Sequence, residues 1–339
     1  MAALGPIVCF GEILLRLSAP PGEMLLQTSA FQVAVGGAEA NVAVALARAG
    51  APAAMVSILP DNPLGSAARD ALRRYGVDTG GIRFAPGRMG LYFLTPGAVL
   101  RASDVFYDRA ASAFAVGQPD LIDWGVELKG ASRLHLSGVT PALNADTAAA
   151  VLRAAQSATR LDVPVSFDAN YRAKLWAGSS SHAPTLLRAL LAEAETAFMD
   201  YRDVALVLER RFGSEGPARD SEMAEEAFRA FPRLQRIAFT RRAVRATDRH
   251  ELIAHLIPRE GPALCSASHA LFGIVDRVGA GDAFAAGILY GLGRELADRL
   301  VLDYGLASAC LKHSVVGDAG LATADDLDAF LAGNLDIRR

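Results

Sequence analysis

The sequence predicts an α/β fold in which a mostly parallel central sheet is covered by helices on both faces. Short apolar runs of strand length alternate with longer segments of helix period along most of the 339 residues, an alternation typical of parallel strands joined by helical crossovers. Hydrophobic residues make up 52% of the chain, which allows a large buried core. The length permits one or two domains, but no repeat or low-complexity linker divides the chain, so we expect a single domain over residues 1–339.

The first third of the chain predicts the opening strands and helices and a small second sheet. The main elements expected here are a strand at 7–10, a helix closed by Gly50, a strand at 53–59 and a helix at 65–75. Residues 14–31 look like short strands rather than a helix. Aromatic and β-branched residues on either side of Pro96-Gly97 predict a hairpin over about 89–110. Together with about 14–33, this hairpin is expected to form a sheet separate from the main one.

The remaining chain predicts a regular alternation of strands and helices. Strands are expected at 133–137, 163–167, 196–199 and 237–240, helices at 145–160, 184–194, 204–212 and 223–231, and closing helices at 282–291, 298–313 and 325–331. Ligands of parallel sheets collect at the carboxyl ends of the strands. Polar residues at those ends are therefore candidates for a site.

Composition argues against several classes of function. A formal net charge of −3 gives no general attraction to nucleic acid or to an anionic membrane. Seven arginines between Arg229 and Arg249 form a basic cluster, but no aromatic residues interleave with it, so we expect a solvated face with some phosphate contact rather than nucleic-acid binding. Three widely spaced cysteines indicate neither a disulfide framework nor a zinc knuckle. We find no signal peptide and no membrane-spanning stretch, and expect a cytoplasmic protein.

A glycine-rich turn, Gly279-Ala280-Gly281, stands directly before Asp282 and an Ala-rich segment of helix period. The N–H groups at a helix start bind anions, and the helix dipole adds partial positive charge there. A capping role would explain Asp282 alone, but not the glycines that let a ligand approach the backbone. The turn is not a P-loop, and Phe284 occupies the position where a dinucleotide fingerprint needs a small residue. We therefore expect an anion hole with an acid beside it.

A second glycine pair, Gly36-Gly37, precedes the helix that Gly50 closes. Such glycines let a ligand approach the helix start, or let the helix pack tightly on a strand, and this segment alone leaves both interpretations open. Asn41 is a poor helix former in the first turn, which favours a ligand contact or a cap.

Polar residues also follow the strand at 163–167, in the run Asp168-Ala169-Asn170-Tyr171-Arg172. A single arginine is more often a surface charge than a ligand. Asp, Asn and Arg at alternate positions after a buried strand nevertheless favour a site over a solvated loop.

These motifs resemble those of the ribokinase-like (PfkB) carbohydrate kinases, and several of them are similar to the forms found in 2-keto-3-deoxygluconate kinases. The resemblance covers nearly the whole chain. It implies a ribokinase-like three-layer α/β/α fold with a small β lid, formed by about 14–33 and 89–110, that covers the sugar and mediates a homo-oligomer. It also implies ATP- and Mg²⁺-dependent phosphorylation of 2-keto-3-deoxygluconate at its 6-hydroxyl.

The same resemblance implies roles for individual residues. Asp282 would be the catalytic base, with Gly279, Ala280 and Gly281 forming the anion hole. The sugar acid would be bound by Gly36, Gly37, Asn41, Tyr92, Tyr107, Arg109, Asn170, Arg172 and Asp318. ATP would contact Thr240, Arg241, Arg242, Gly279, Gly281 and His313, although His313 equally fits a cap at a helix C-terminus. Asp200 and Asp203 replace an Asn-x-x-Glu motif of the family and are the expected metal ligands.

The two arginines among these residues favour an acidic substrate, because a guanidinium grips a planar carboxylate that a neutral sugar lacks. Three other interpretations stay open: a related kinase acting on fructose or 5-keto-2-deoxygluconate, a sugar-acid sensor without catalysis, and a nucleic-acid-binding protein suggested only by the arginine cluster.

Overall fold

The computed structural model describes residues 5–117, 122–176 and 182–334. The strands are β1 (Ile7–Phe10), β2 (Leu14–Ser18), β3 (Gln32–Gly36), β4 (Ala53–Pro60), β5 (Ile82–Ala85), β6 (Gly90–Thr95), β7 (Asp104–Asp108), β8 (Arg133–Ser137), β9 (Val165–Asp168), β10 (Thr196–Phe198), β11 (Arg236–Ala246), β12 (Arg249–Pro258), β13 (Leu264–Cys265) and β14 (His269–Phe272). The helices are α1 (Ala38–Arg48), α2 (Pro63–Arg74), α3 (Trp124–Glu127), α4 (Ala145–Arg160), α5 (Ala173–Trp176), α6 (Ala183–Glu193), α7 (Tyr201–Val207), α8 (Gly216–Ala230), α9 (Ala280–Gly293), α10 (Asp298–Lys312) and α11 (Ala324–Leu331).

Within these described residues the central sheet has ten strands in the order β13-β12-β11-β10-β9-β8-β1-β4-β5, with β14 also paired to β12. The strands from β11 through β5 run parallel. One apolar cluster packs α1, α9 and α10 on one face of the sheet, and a second packs α4, α6 and α8 on the other. This arrangement confirms the predicted three-layer α/β/α fold.

The lid is a separate four-stranded sheet in the order β3-β2-β6-β7. Strand β3 continues to Gly36, beyond the end of the segment expected at about 14–33. Directly paired residues point to the same side of a sheet, so the register places Arg16, Tyr92 and Tyr107 on one face. The neighbouring row, on the opposite face, consists of the apolar side chains Val33, Leu17, Phe93 and Phe106.

The chain after residue 236 differs most from expectation. The strand predicted at 237–240 extends to Ala246 and turns back as β12, so this end of the sheet is antiparallel. The outer part of β11 is exposed and rich in arginine, and it therefore lacks the apolar pattern that indicates a strand. Strand β14 ends at Phe272, and residues 273–279 connect it to α9.

No helix in the described ranges combines the length and apolar character needed to cross a bilayer.

Candidate active site

A cavity of about 610 Å³ lies between the lid and the carboxyl ends of the parallel strands. It brings together most of the predicted site residues: Gly37, Asn41, Tyr92, Tyr107, Arg109, Asn170, Arg172, Thr240, Arg242, Gly279, Ala280, Gly281, Asp282 and Asp318. Strands whose ends meet at one edge of a sheet place distant parts of the chain side by side. The cavity lining does not include Gly36, Arg241, His313, Asp200 or Asp203.

The anion hole is the start of α9. Gly279 caps the helix in the left-handed conformation, with φ of +79°, and a Cβ built on it would lie 1.7 Å from the carbonyl oxygen of Asp318. Only glycine fits such a position. The N–H of Ala280 donates to the Arg277 carbonyl at 3.2 Å. The N–H groups of Gly281 and Asp282 have no intrahelical acceptor, because they belong to the first turn, and remain for an anion.

Asp282 is a buried acid in that first turn, 8% exposed. Burial raises its pKa to about 6, while a hydrogen bond from Asn41 Nδ2 to Oδ2 at 2.6 Å opposes this rise. A carboxylate with a pKa near 6 is ionised at neutral pH and is suited to accept a proton from an alcohol. The amide of Asn41 therefore forms a direct hydrogen bond with the carboxylate of Asp282. This contact spans 241 residues of sequence.

On the lid side, Arg172 is held in place by two hydrogen bonds. Its Nη1 donates to the Tyr107 hydroxyl at 2.7 Å, and its Nε donates to Asn170 Oδ1 at 3.0 Å. The rings of Tyr107 and Tyr92 lie 5.9 Å apart. The Arg172 side chain lines the cavity. The site therefore presents an oriented guanidinium that can bind an acidic group.

Arg109 lines the same cavity but is engaged by a buried acid. Its Nε and Nη2 lie 2.7 and 2.6 Å from Glu12 Oε2, and both side chains are nearly inaccessible to solvent. The Ser112 hydroxyl donates to the other oxygen of Glu12. Because Glu12 neutralises Arg109, Arg172 is the better candidate of these two arginines for binding an acidic group of the sugar.

A second buried charge network lies between the lid and the loop before α9. Arg16 of β2 contacts Asp276 Oδ2 at 2.7 Å and Asp318 Oδ1 at 2.8 Å. The Tyr92 hydroxyl donates a hydrogen bond to Asp318 Oδ2. Burial raises the pKa of Asp318, and Arg16 opposes that rise. Asp318 is therefore placed by the lid as well as by the core.

At the other side of the cavity, alternation along β11 decides which side chains reach the site. Thr240 and Arg242 line the cavity together with Arg277. Arg241 points to the opposite face, where it pairs with Asp220. Burial lowers the pKa of Arg242, and the nearby Arg277 lowers it further. Two neighbouring arginines on one wall are suited to a polyphosphate.

His313 lies behind this wall as the C-cap of α10. Its Nδ1 lies 2.7 Å from the Ala309 carbonyl oxygen, and burial lowers its pKa. Of the two roles left open from the sequence, the capping role is the one the structure displays.

Asp200 and Asp203 line an adjoining cavity of about 390 Å³, which also includes Asp168 and Gly281. The two acids form the capping box of α7, in which Asp203 Oδ2 accepts the Asp200 N–H at 2.9 Å. Burial raises the pKa of Asp203 to about 6. In the described part of the chain, no three His, Cys, Asp or Glu side chains are grouped closely enough to hold a metal ion by themselves.

Sequence reasoning missed three buried groups behind the site, Glu12, Arg16 and Glu39. Glu39 is 1% exposed; its Oε1 accepts from the Thr140 hydroxyl at 2.7 Å, and burial raises its pKa to about 7. A charged residue inside an apolar segment is the signal that could have revealed them, since unpaired charges are rarely fully buried.

Four of the seven arginines in the cluster, including Arg241, pair with acids. Within it, Arg229, Arg236 and Arg245 pair with Glu226, Asp298 and Glu251. This agrees with a solvated face.

An α/β/α fold with a lid, a helix-start anion hole and an adjacent buried acid defines a phosphotransferase that acts on an alcohol. The profile described as "pfkB family carbohydrate kinase" matches residues 6–232, and the chain belongs to this family. It is 33% identical to a 2-dehydro-3-deoxygalactonokinase of Haloferax volcanii over 96% of both chains. The fold is that of a 2-dehydro-3-deoxygluconokinase from Thermotoga maritima, with TM-score 0.92, 34% identity and coverage of 97% and 98%. The chain is also similar to a PfkB family carbohydrate kinase from Listeria grayi. The TM-score is 0.91 and the identity is 34%, with coverage of 96% of this chain and 99% of the other.

Proposed function

We propose that this chain transfers the γ-phosphoryl group of ATP to the 6-hydroxyl of 2-keto-3-deoxygluconate, giving 2-keto-3-deoxy-6-phosphogluconate. The observation that carries the proposal is that Arg172 and Asp282 line one cavity, the first suited to the substrate carboxylate and the second to its hydroxyl. The names of relatives that cover nearly the whole chain support a 2-dehydro-3-deoxy sugar acid. The gluconate form is proposed over its galactonate epimer from the motif forms of the sequence.

In the proposed reaction, the 6-hydroxyl oxygen forms a bond to phosphorus while the bond from phosphorus to the leaving ADP oxygen breaks. The hydroxyl proton passes to the Asp282 carboxylate, which Asn41 orients through its hydrogen bond. The free N–H groups at the start of α9 stabilise negative charge on the oxygens of the moving phosphoryl group. Tyr107 and Asn170 keep Arg172 directed at the cavity.

Thr240, Arg242 and Arg277 would hold the nucleotide phosphates, because they share one wall of the cavity. Asp200 and Asp203 would hold Mg²⁺, which neutralises phosphate charge when bound. Mg²⁺ prefers oxygen ligands and usually keeps several waters while binding one or two carboxylates and the phosphates. Two carboxylates on the wall of the adjoining cavity fit that mode of binding, with Asp200 exchanging its ion pair with Arg202 for the metal.

The test is a coupled assay of ADP release over a panel of 2-keto-3-deoxygluconate, its galactonate epimer, 5-keto-2-deoxygluconate, fructose and ribose. We expect the highest kcat/KM with 2-keto-3-deoxygluconate. Activity on neutral sugars alone would refute the role of Arg172. Binding of a sugar acid without ADP release would instead indicate a sensor.

We also propose that the lid joins two copies of this chain. The apolar row on its outer face crosses all four strands, and Val33 and Phe106 are each 62% exposed. An exposed apolar row of this extent is typical of an interface. Sedimentation velocity would measure the oligomeric state of the protein, and a monomer at micromolar concentration would contradict the proposal.

A further inference from the structure

Lys312 is a buried lysine beneath the loop that leads into the anion hole. It is the last residue of α10 and is 1% exposed. Its Nζ donates to the carbonyl oxygens of Asp276 and Val315, both at 3.1 Å. The ammonium is thus bound by backbone oxygens rather than by a carboxylate, and it lies outside the lining of the main cavity.

The choice of lysine at this position is informative, because the chain otherwise uses arginine. Only three of its 34 Lys and Arg residues are lysines. The other two, Lys129 and Lys174, are exposed. An ammonium is a compact point charge with three donors, whereas a guanidinium is a wide planar fork. A position between two backbone carbonyls, closed to solvent, fits the compact group.

The two carbonyls that Lys312 binds belong to the two chain segments that meet under the anion hole. These segments are also joined by hydrogen bonds from Val275 N to His313 O at 2.9 Å and from Gly317 N to Asp276 Oδ2 at 3.1 Å. Beyond the junction, the Asp318 carbonyl lies directly against Gly279, the cap of α9. Lys312 therefore joins the loop before α9 to the segment after α10, and these two segments contact the N-terminus of α9.

We propose that Lys312 is a positioning residue of the kinase: its buried positive charge holds the loop before α9 in place and stabilises negative charge at the start of that helix. The charge acts through the protein, since Lys312 contacts neither substrate nor base. Burial raises the pKa of Asp282, and Lys312 is one of the groups that oppose this rise. Burial lowers the pKa of Lys312, and the attraction of Asp276, Asp318 and Asp282 opposes that fall.

Other charged groups face Asp282 as well, so the effect of Lys312 must be separated from theirs. They are Glu39 of α1, Asp168 at the end of β9, Arg172, and Asp318 of the loop between α10 and α11. The tests below leave all four unchanged.

The first test replaces Lys312→Met and measures kcat and the pH dependence of kcat/KM with the best sugar of the panel. We expect kcat to fall at least about tenfold, as when fixed charge near a developing anion is removed. The acidic limb of the profile, expected near pH 6 from the pKa of Asp282, should move to higher pH. The exposed Lys129→Met is the matched control and should match the unmodified enzyme. Retention of more than about a third of kcat, or a fall in kcat with the limb unmoved, would overturn the proposal.

The second test separates charge from hydrogen bonding. Lys312→Gln keeps a neutral donor for a carbonyl oxygen but removes the charge, and it also serves if the Met variant does not fold. We expect the limb to move upward here too, and a limb at the original pH would exclude the electrostatic role. The inference rests on the proposed role of Asp282, and Asp282→Asn distinguishes the two. Unchanged turnover in that variant would refute the base, whatever Lys312 does.

Discussion

The hydrogen bond from Asn41 to Asp282 gives a quantitative prediction. The Asn41 amide donates to Oδ2 at 2.6 Å in a buried setting, and a hydrogen bond to a charged group is worth about 1.5–3 kcal/mol. Since about 1.4 kcal/mol corresponds to one pKa unit, Asn41→Ala should raise the pKa of Asp282 by about one to two units from its value of about 6. The base is active only when ionised. The acidic limb of kcat/KM should therefore move from about pH 6 to between about 7 and 8.

The assay is ADP release from pH 5 to 9 at low sugar concentration, so that kcat/KM of the free enzyme is observed. Asn62→Ala provides a control of the same residue type, because Asn62 caps α2 and does not line the cavity. It should cost about 1 kcal/mol of stability and leave the limb in place. If Asn41→Ala lowers activity at every pH with the limb unmoved, Asn41 positions substrate and does not stabilise the carboxylate.

Three further predictions concern other parts of the molecule. Burial raises the pKa of Glu39 from 4.5 to about 7, so its contribution to stability is present below pH 4.5 and is lost as pH rises to about 7. Glu39→Gln should remove that decline, about 3 kcal/mol between pH 4.5 and 8, and urea unfolding curves that keep the same pH dependence would contradict this. Arg172→Met should lower kcat/KM for sugar acids about 10- to 100-fold, with little change for fructose; an equal loss for both would argue against a carboxylate contact. Phe106→Arg should yield monomers in sedimentation velocity with kcat largely retained, and an unchanged sedimentation coefficient would place the interface elsewhere.

The parts of the site that the sequence revealed are those defined by short-range chemistry. The turn at Gly279 and the pair Gly36-Gly37 are visible because left-handed or crowded backbone requires glycine, whatever the rest of the fold does. The central strands and helices were also predictable, since their apolar periods are strong. The resemblance of these motifs to those of the PfkB kinases then indicated that the separate polar segments belong to one site.

The parts that stayed hidden depend on tertiary partners. The engagement of Arg109 by Glu12 joins residues 97 apart in sequence, and no local pattern records it. The pairing of β11 with β12 was missed because exposed antiparallel strands rich in arginine lack an apolar period. Arg241 was grouped with its neighbours, although strand alternation turns it away from the cavity once β11 is known to continue.

Three buried ion pairs tie the lid to the body of the protein: Arg16 pairs with Asp276 and with Asp318, and Arg109 pairs with Glu12. Lifting the whole lid would separate charges in a medium of low dielectric, at a cost of several kcal/mol. We therefore expect the sugar to enter without a lifting of the whole lid, because the buried ion pairs anchor the lid to the body. We expect these anchored strands to preserve the shape of the sugar site between turnovers.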